Sequence, residues 1–171
     1  IATFRSDVNI PNINGGQIGG RRNIIINGAM LVAQRGTSSS ASSSEYLTLD
    51  RFRLTSNGTD EAPSQEQASV ASGTSPYAEG FRKSFKITNG NQTSGAGAAD
   101  SIQFQYRVEA QDIANSGWNY LSTSSYVTLS FWVKSSVAQN FYMMFRTKDG
   151  TAYNYPIETG SLTANTWTKV T

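Results

Sequence analysis

Alternation with a period of two, repeated along the chain, is the feature that most narrows what this sequence can fold into. Ile102, Phe104, Tyr106 and Val108 alternate with Gln103, Gln105, Arg107 and Glu109. Phe81, Phe85 and Ile87 alternate with Arg82, Ser84, Lys86 and Thr88, and Lys83 breaks the inner set near a strand end. Val127, Leu129, Phe131 and Val133 alternate with Tyr126, Thr128, Ser130 and Trp132. Phe141, Met143 and Phe145 alternate with Tyr142, Met144 and Arg146. Successive side chains of a strand point to opposite faces, so this pattern predicts half-buried antiparallel strands.

The remaining segments fit the same class. Ile24, Ile25 and Ile26 favour a strand, followed by an Asn27-Gly28 turn. Residues 46–54 read as a strand. Residues 57–76 read as a polar loop with a weak strand around 68–71, and residues 89–100 as a loop. Only 109–115 offers a helix, and a short one. Lys148-Asp149-Gly150-Thr151 reads as a hairpin turn with Tyr153 and Tyr155 on the returning strand, and Trp167 opens a last strand. The expected fold is all-β, an antiparallel jelly roll or β-sandwich over residues 23–171. An extended arm, residues 1–22, precedes it. The arm is rich in Gly and Asn and carries isolated Ile10, Ile13 and Ile18, which are candidates for docking on a neighbour.

Composition then removes whole classes of chemistry. The chain has 171 residues and neither His nor Cys. A Ser-His-Asp triad, a Cys-His nucleophile and zinc sites built on those ligands are excluded. No apolar run is long enough to span a bilayer as a helix. Fourteen basic and 12 acidic side chains leave a net charge of +2. That surplus is too small, and the Lys and Arg too scattered, for a nucleic-acid partner. Charged residues are 15% of the chain, whereas Ser, Thr, Asn and Gly number 68. Such a surface meets water, glycans or neighbouring subunits through hydrogen bonds.

Three constellations merit chemical consideration. Asp60/Glu61 and Glu109/Asp112 are carboxylate pairs of the kind that hydrolyse glycans when they converge on a cleft. Asp50 and Glu109 offer oxygen ligands of the kind a calcium ion takes; no cofactor or metal site is assigned. Trp132, Tyr126, Tyr142 and Arg146 lie opposite the faces expected to be buried, and Gln103, Gln105 and Arg107 offer planar polar groups on another strand. Aromatic faces stack on sugar C–H groups, so these seven residues form a candidate glycan-facing sheet. Aromatic residues and Arg are also enriched at subunit interfaces, so the same face suits a sister subunit.

Two stretches carry a family resemblance. Arg22-Asn-Ile-Ile-Ile-Asn-Gly-Ala-Met-Leu-Val-Ala-Gln-Arg-Gly36, followed by Leu49-Asp-Arg-Phe52, resembles the opening of many bacteriophage tail-fibre and virion proteins. Glu109-Ala-Gln-Asp-Ile-Ala-Asn-Ser-Gly-Trp118, followed by Val127-Thr-Leu-Ser-Phe-Trp-Val-Lys-Ser-Ser136, is similar to a second block of the same proteins, those of marine cyanobacterial phages included. The resemblance covers about residues 22–171. It implies a jelly roll akin to carbohydrate-binding modules. Family members continue past the last strand here with further strands, so the resemblance implies either a longer chain that carries them or a partner that supplies them.

The expected function is therefore that of a non-enzymatic virion structural protein on the exterior of a phage particle. Its leading form is a tail or head fibre whose β-sandwich binds host-surface polysaccharide. The alternative is a capsid decoration, or cement, protein held to the shell by its arm, and the third is a polysaccharide depolymerase. The expected partners are other virion proteins through the arm, sister copies in a homo-oligomer (a trimer, by the resemblance) and host glycan. Nucleic acid and membrane insertion are not expected.

Overall fold

The computed structural model describes residues 23–40, 45–148 and 150–171, together with the backbone of two short strands in the first 22 residues. In chain order the elements are β1 (Asn12–Ile13), β2 (Gly16–Gln17), β3 (Ser38–Ser39), β4 (Phe52–Asn57), β5 (Ser64–Ser69), α1 (Ser75–Ala78), β6 (Lys83–Thr88) and β7 (Ser101–Tyr106). They continue with α2 (Ala110–Ser116), β8 (Phe131–Val133), β9 (Asn140–Arg146), β10 (Asn154–Ser161) and β11 (Thr168–Val170). The fold is all-β: several antiparallel sheets and two short helices. The side chains of Ile10, Ile13 and Ile18 lie outside the described residues, as do Asp149 and residues 41–44.

The chain divides into two units that interleave in sequence. Unit 1 is Ile1–Ser69 with Lys83–Tyr126, and unit 2 is Val70–Arg82 with Val127–Thr171.

Unit 1 holds a β3-β5-β6 sheet and a β4-β7 sheet, both antiparallel. Leu49, Phe52, Leu54 and Pro63 are among its buried apolar residues. Phe52 and Leu54 are two apart on β4, so they share the buried face. Phe52 sits opposite Tyr106 and Leu54 opposite Phe104 on β7. The Phe52 ring stacks on Phe104 at 5.1 Å and tilts against Tyr106, also at 5.1 Å. Phe85 of β6 meets the same Phe104 at 4.9 Å, so one ring joins the two sheets. Gln65 is buried in this core, where the Thr48 hydroxyl donates to its Oε1 at 2.9 Å.

Several sequence expectations require correction. Ile24–Ile26 are not a strand; the chain there is irregular and enters a turn at 26–29. The reason is that side chains, not a ladder, satisfy the backbone. The Ile26 N–H donates to the Tyr106 hydroxyl at 2.7 Å. Asn27, at φ 58°, donates from Nδ2 to the carbonyls of Val32 and Asp50 and accepts from the Val32 N–H. Asn is among the few residues that tolerate the left-handed region. The strand expected over 46–54 begins only at Phe52, because Arg51 at φ 75° breaks the extended path before it. Polar Ser64–Ser69 is a full strand, β5, paired on both edges. Residues 75–78 form a turn of helix, started by Pro76, whose fixed φ suits the first helical positions. The short helix after Glu109 is present as α2 and ends at Gly117, φ 75°.

Unit 2 holds β8 paired with β11 and β9 paired with β10. The hairpin expected around residue 150 is present, with Arg146 opposite Asn154 and Tyr142 opposite Glu158. The last strand is present as β11. The strand expected from 127 is limited to Phe131–Val133, matching the three residues of its partner. Leu162, Val70 and Pro76 are buried. The expected alternation of β9 is present from Phe141 to Met144 and fails at Phe145, expected inside but 45% exposed.

Candidate functional site

Five charged residues of unit 1 meet at an open cleft of ≈ 470 Å³, lined by Gln34, Arg35, Tyr46, Asp50, Arg51, Arg107 and Glu109. Its walls come from three loops, one of them leaving the end of β7. The Asn27 turn pins the first loop and reaches the Asp50 carbonyl at 3.0 Å. The Asp50 carboxylate then accepts the Gln34 N–H at 3.2 Å and faces the Arg35 guanidinium at 3.8 Å. Arg51 turns the other way. Its guanidinium pairs with Glu109 and, at 3.3 Å, with Asp112 on the first turn of α2. It also lies 5.9 Å from the centre of the Tyr106 ring. Glu109 raises the Arg51 pKa further, and Arg51, followed by Gln111, holds the Glu109 carboxyl below its ordinary value.

Arg107 differs from the other two guanidiniums. It follows the end of β7, is exposed, and has neither an ion pair nor a hydrogen bond among the described residues. The cleft therefore contains carboxylates already engaged by the protein and one cation that is not.

Of the seven residues expected to form a glycan-facing sheet, four lie in unit 1 and three in unit 2. Gln103 and Gln105 are neighbours on β7, bonded to each other at 2.9 Å. Arg107 is at the cleft. Tyr126 is 84% exposed at the last position of unit 1. In unit 2, Trp132 is half-buried on β8, while Tyr142 and Arg146 share one face of β9.

Trp132 has its own network. Its indole N–H donates to Glu79 Oε2 at 2.9 Å, and Lys169 Nζ reaches both Glu79 oxygens at 3.0 and 3.1 Å. Lys169 sits opposite Trp132 in the β8–β11 pair, 5.7 Å from its ring centre. The Trp132 N–H, then Lys169, hold the Glu79 carboxyl below the usual carboxylate range. A depressed carboxyl contributes its stabilisation fully above the range where a free glutamate titrates, and loses it as pH falls through the lower folded value. Acid titration followed by tryptophan fluorescence is expected to show a transition below that usual range. Glu79→Gln should remove this transition; its persistence in the variant would assign the signal elsewhere.

The two carboxylate pairs are engaged in structural bonds. Asp60 accepts from the Ser94 N–H at 2.6 Å and from its hydroxyl at 2.7 Å, which lowers its pKa. Glu61 accepts the Asn91 N–H at 2.6 Å. Glu109 and Asp112 share Arg51. Among the described residues no group of three or more acidic side chains could hold a metal ion, and no helix is long and apolar enough to cross a membrane.

Sequence reasoning missed Arg35 and Arg51 as parts of a site. The signal was present: Asn27, Gln34, Arg35, Asp50, Arg51, Glu109 and Asp112 all fall in the two stretches that carry the resemblance. They converge on one cluster. Comparison with protein-family models, with curated proteins and with solved structures yields no match.

Proposed function

We propose that this chain is a non-enzymatic structural protein on the exterior of a bacteriophage particle, a tail or head fibre whose jelly-roll β-sandwich binds host-surface glycan. The observation that carries this reading is the β9–β10 hairpin. Tyr142, Tyr153 and Tyr155 are 74%, 70% and 68% exposed on it. Arg146 and Asn154 face each other in the same register. Strand alternation puts Tyr142 on the same face as Arg146 and Asn154, and Tyr155 on the other face with Phe145. An exposed phenol ring beside guanidinium and amide groups suits sugar rings, which offer C–H faces to stack and hydroxyls to bond. The scarcity of charge elsewhere supports the same partner class. In this reading the first 22 residues dock on a neighbouring virion protein, and sister copies assemble through the sandwich.

A second reading, a capsid decoration protein, is favoured by a different observation. Met144 and Phe145 on the same hairpin are exposed, and Met and aromatic residues are enriched where subunits meet. Trp132 is already engaged by Glu79, as a structural strut would be.

Binding of labelled protein to intact bacterial host cells, with free surface polysaccharide as competitor, separates the two. A fibre is expected to bind saturably and to be displaced. Tyr142→Ala should then weaken binding about tenfold or more, the usual loss for an aromatic anchor. Absence of binding by folded, assembled protein would favour the decoration reading.

A further inference from the structure

We propose that the cleft of unit 1 is a second binding site, specific for an acidic saccharide whose carboxylate pairs with Arg107. The proposal takes its ligand class from the glycan-binding reading, but it concerns different residues in a different unit.

The argument is one of charge already used and charge left over. Three guanidiniums and two carboxylates line the cleft. Arg51 is occupied by Glu109 and, behind it, by Asp112. Asp50 is held by the Gln34 N–H and faces Arg35. Among the described residues, Arg107 is the one guanidinium of the three with neither an ion pair nor a hydrogen bond, and it is exposed. A guanidinium presents a planar fork that matches a carboxylate through two parallel N–H bonds. Arg35 supplies the second cation, because its contact with Asp50 is long at 3.8 Å and its side chain is 59% exposed.

The cleft's size and lining narrow the ligand further. A volume of ≈ 470 Å³ falls within the range of small-molecule sites and takes one or two sugar rings. Tyr46 offers a ring to stack on, and Gln34 an amide for hydroxyls. An apolar ligand would strand the charged walls. A polyanion such as nucleic acid would meet the carboxylates of Asp50 and Glu109. A singly charged, hydroxyl-rich ligand satisfies both constraints.

The test is calorimetric titration of the full chain with the singly charged sugars galacturonate and glucuronate, the matched neutral sugar galactose, and the polyanion dextran sulfate. At least one of the two uronates should bind, and the neutral sugar should not. Arg107→Gln should lose about tenfold or more in affinity, the loss that follows when a charged hydrogen-bonding partner is removed, with an unchanged melting temperature because Arg107 holds nothing in the fold. Binding should weaken with salt. No binding of either uronate, equal binding by Arg107→Gln, or equal binding of dextran sulfate would each overturn the proposal. Uronate binding lost in Arg107→Gln, without attachment to host cells, would sink the adhesin reading and leave the cleft standing. Competitor-sensitive attachment to cells without uronate binding would do the reverse.

Discussion

Phe52→Ala is expected to destabilise unit 1 by about 3–5 kcal/mol, the range for deleting a large buried ring. Phe52 is 3% exposed and meets two aromatic rings, one stacked and one tilted. Its loss removes the transfer energy of the ring and leaves a cavity that the paired strands β4 and β7 cannot close without leaving register. Against a typical total of about 5–15 kcal/mol, that is a large fraction. Denaturant unfolding should show a lower midpoint with an unchanged slope. Phe104→Ala should cost less, although Phe104 touches more sheets, because it is 45% exposed. A Phe52→Ala loss below about 1 kcal/mol, in the range of surface changes, would contradict the assigned core.

Arg51→Ala carries the second large effect. Asp112 is 5% exposed, and removing its guanidinium partner leaves a largely desolvated carboxylate with one fewer charged neighbour. The expected cost is about 2–3 kcal/mol, below the value for a fully buried pair because Arg51 is partly open to solvent. The backbone allows a sharper test. Arg51 sits at φ 75°, where any residue with a Cβ is strained. Alanine keeps that strain and glycine releases it. Arg51→Gly should therefore be more stable than Arg51→Ala by about 1 kcal/mol, although it is the smaller residue. Equal stability of the two variants would mean that the left-handed turn is not held in solution.

The sequence was most legible where one periodicity spoke alone. The strands β6, β7 and β9, the hairpin to β10 and the helix α2 were all readable from alternation or turn chemistry. The misses share a physical cause. Isoleucines 24–26 have strand propensity, but their backbone donors are answered by Tyr106, 80 residues away, and by Asn23. β5 was faint because its six residues contain no apolar side chain larger than alanine; its place is set by partners on both edges. The start of β4 was misplaced because nothing in the residue name Arg51 announces a positive φ. As for sites, alternation told which residues share a strand face, but not which strands are neighbours. Gln103 and Gln105 bond to each other on β7. Arg107 was grouped with them, whereas the chain end beyond β7 delivers it to Arg35 and Arg51.

The interleaving of the two units has a consequence for how the chain is made. Residues 70–82 emerge from the ribosome with the first half of the chain, yet Glu79 finds Trp132 and Lys169 only after another 53 and 90 residues have been added. During that interval β5 and β6 can already pair on either side of the segment, since all their partners are in hand. The nascent protein must therefore carry 70–82 as a tethered excursion, its Glu79 awaiting Trp132 and Lys169. Contacts of this sequence separation slow folding, and the waiting segment is where a chaperone would find its longest opportunity to bind.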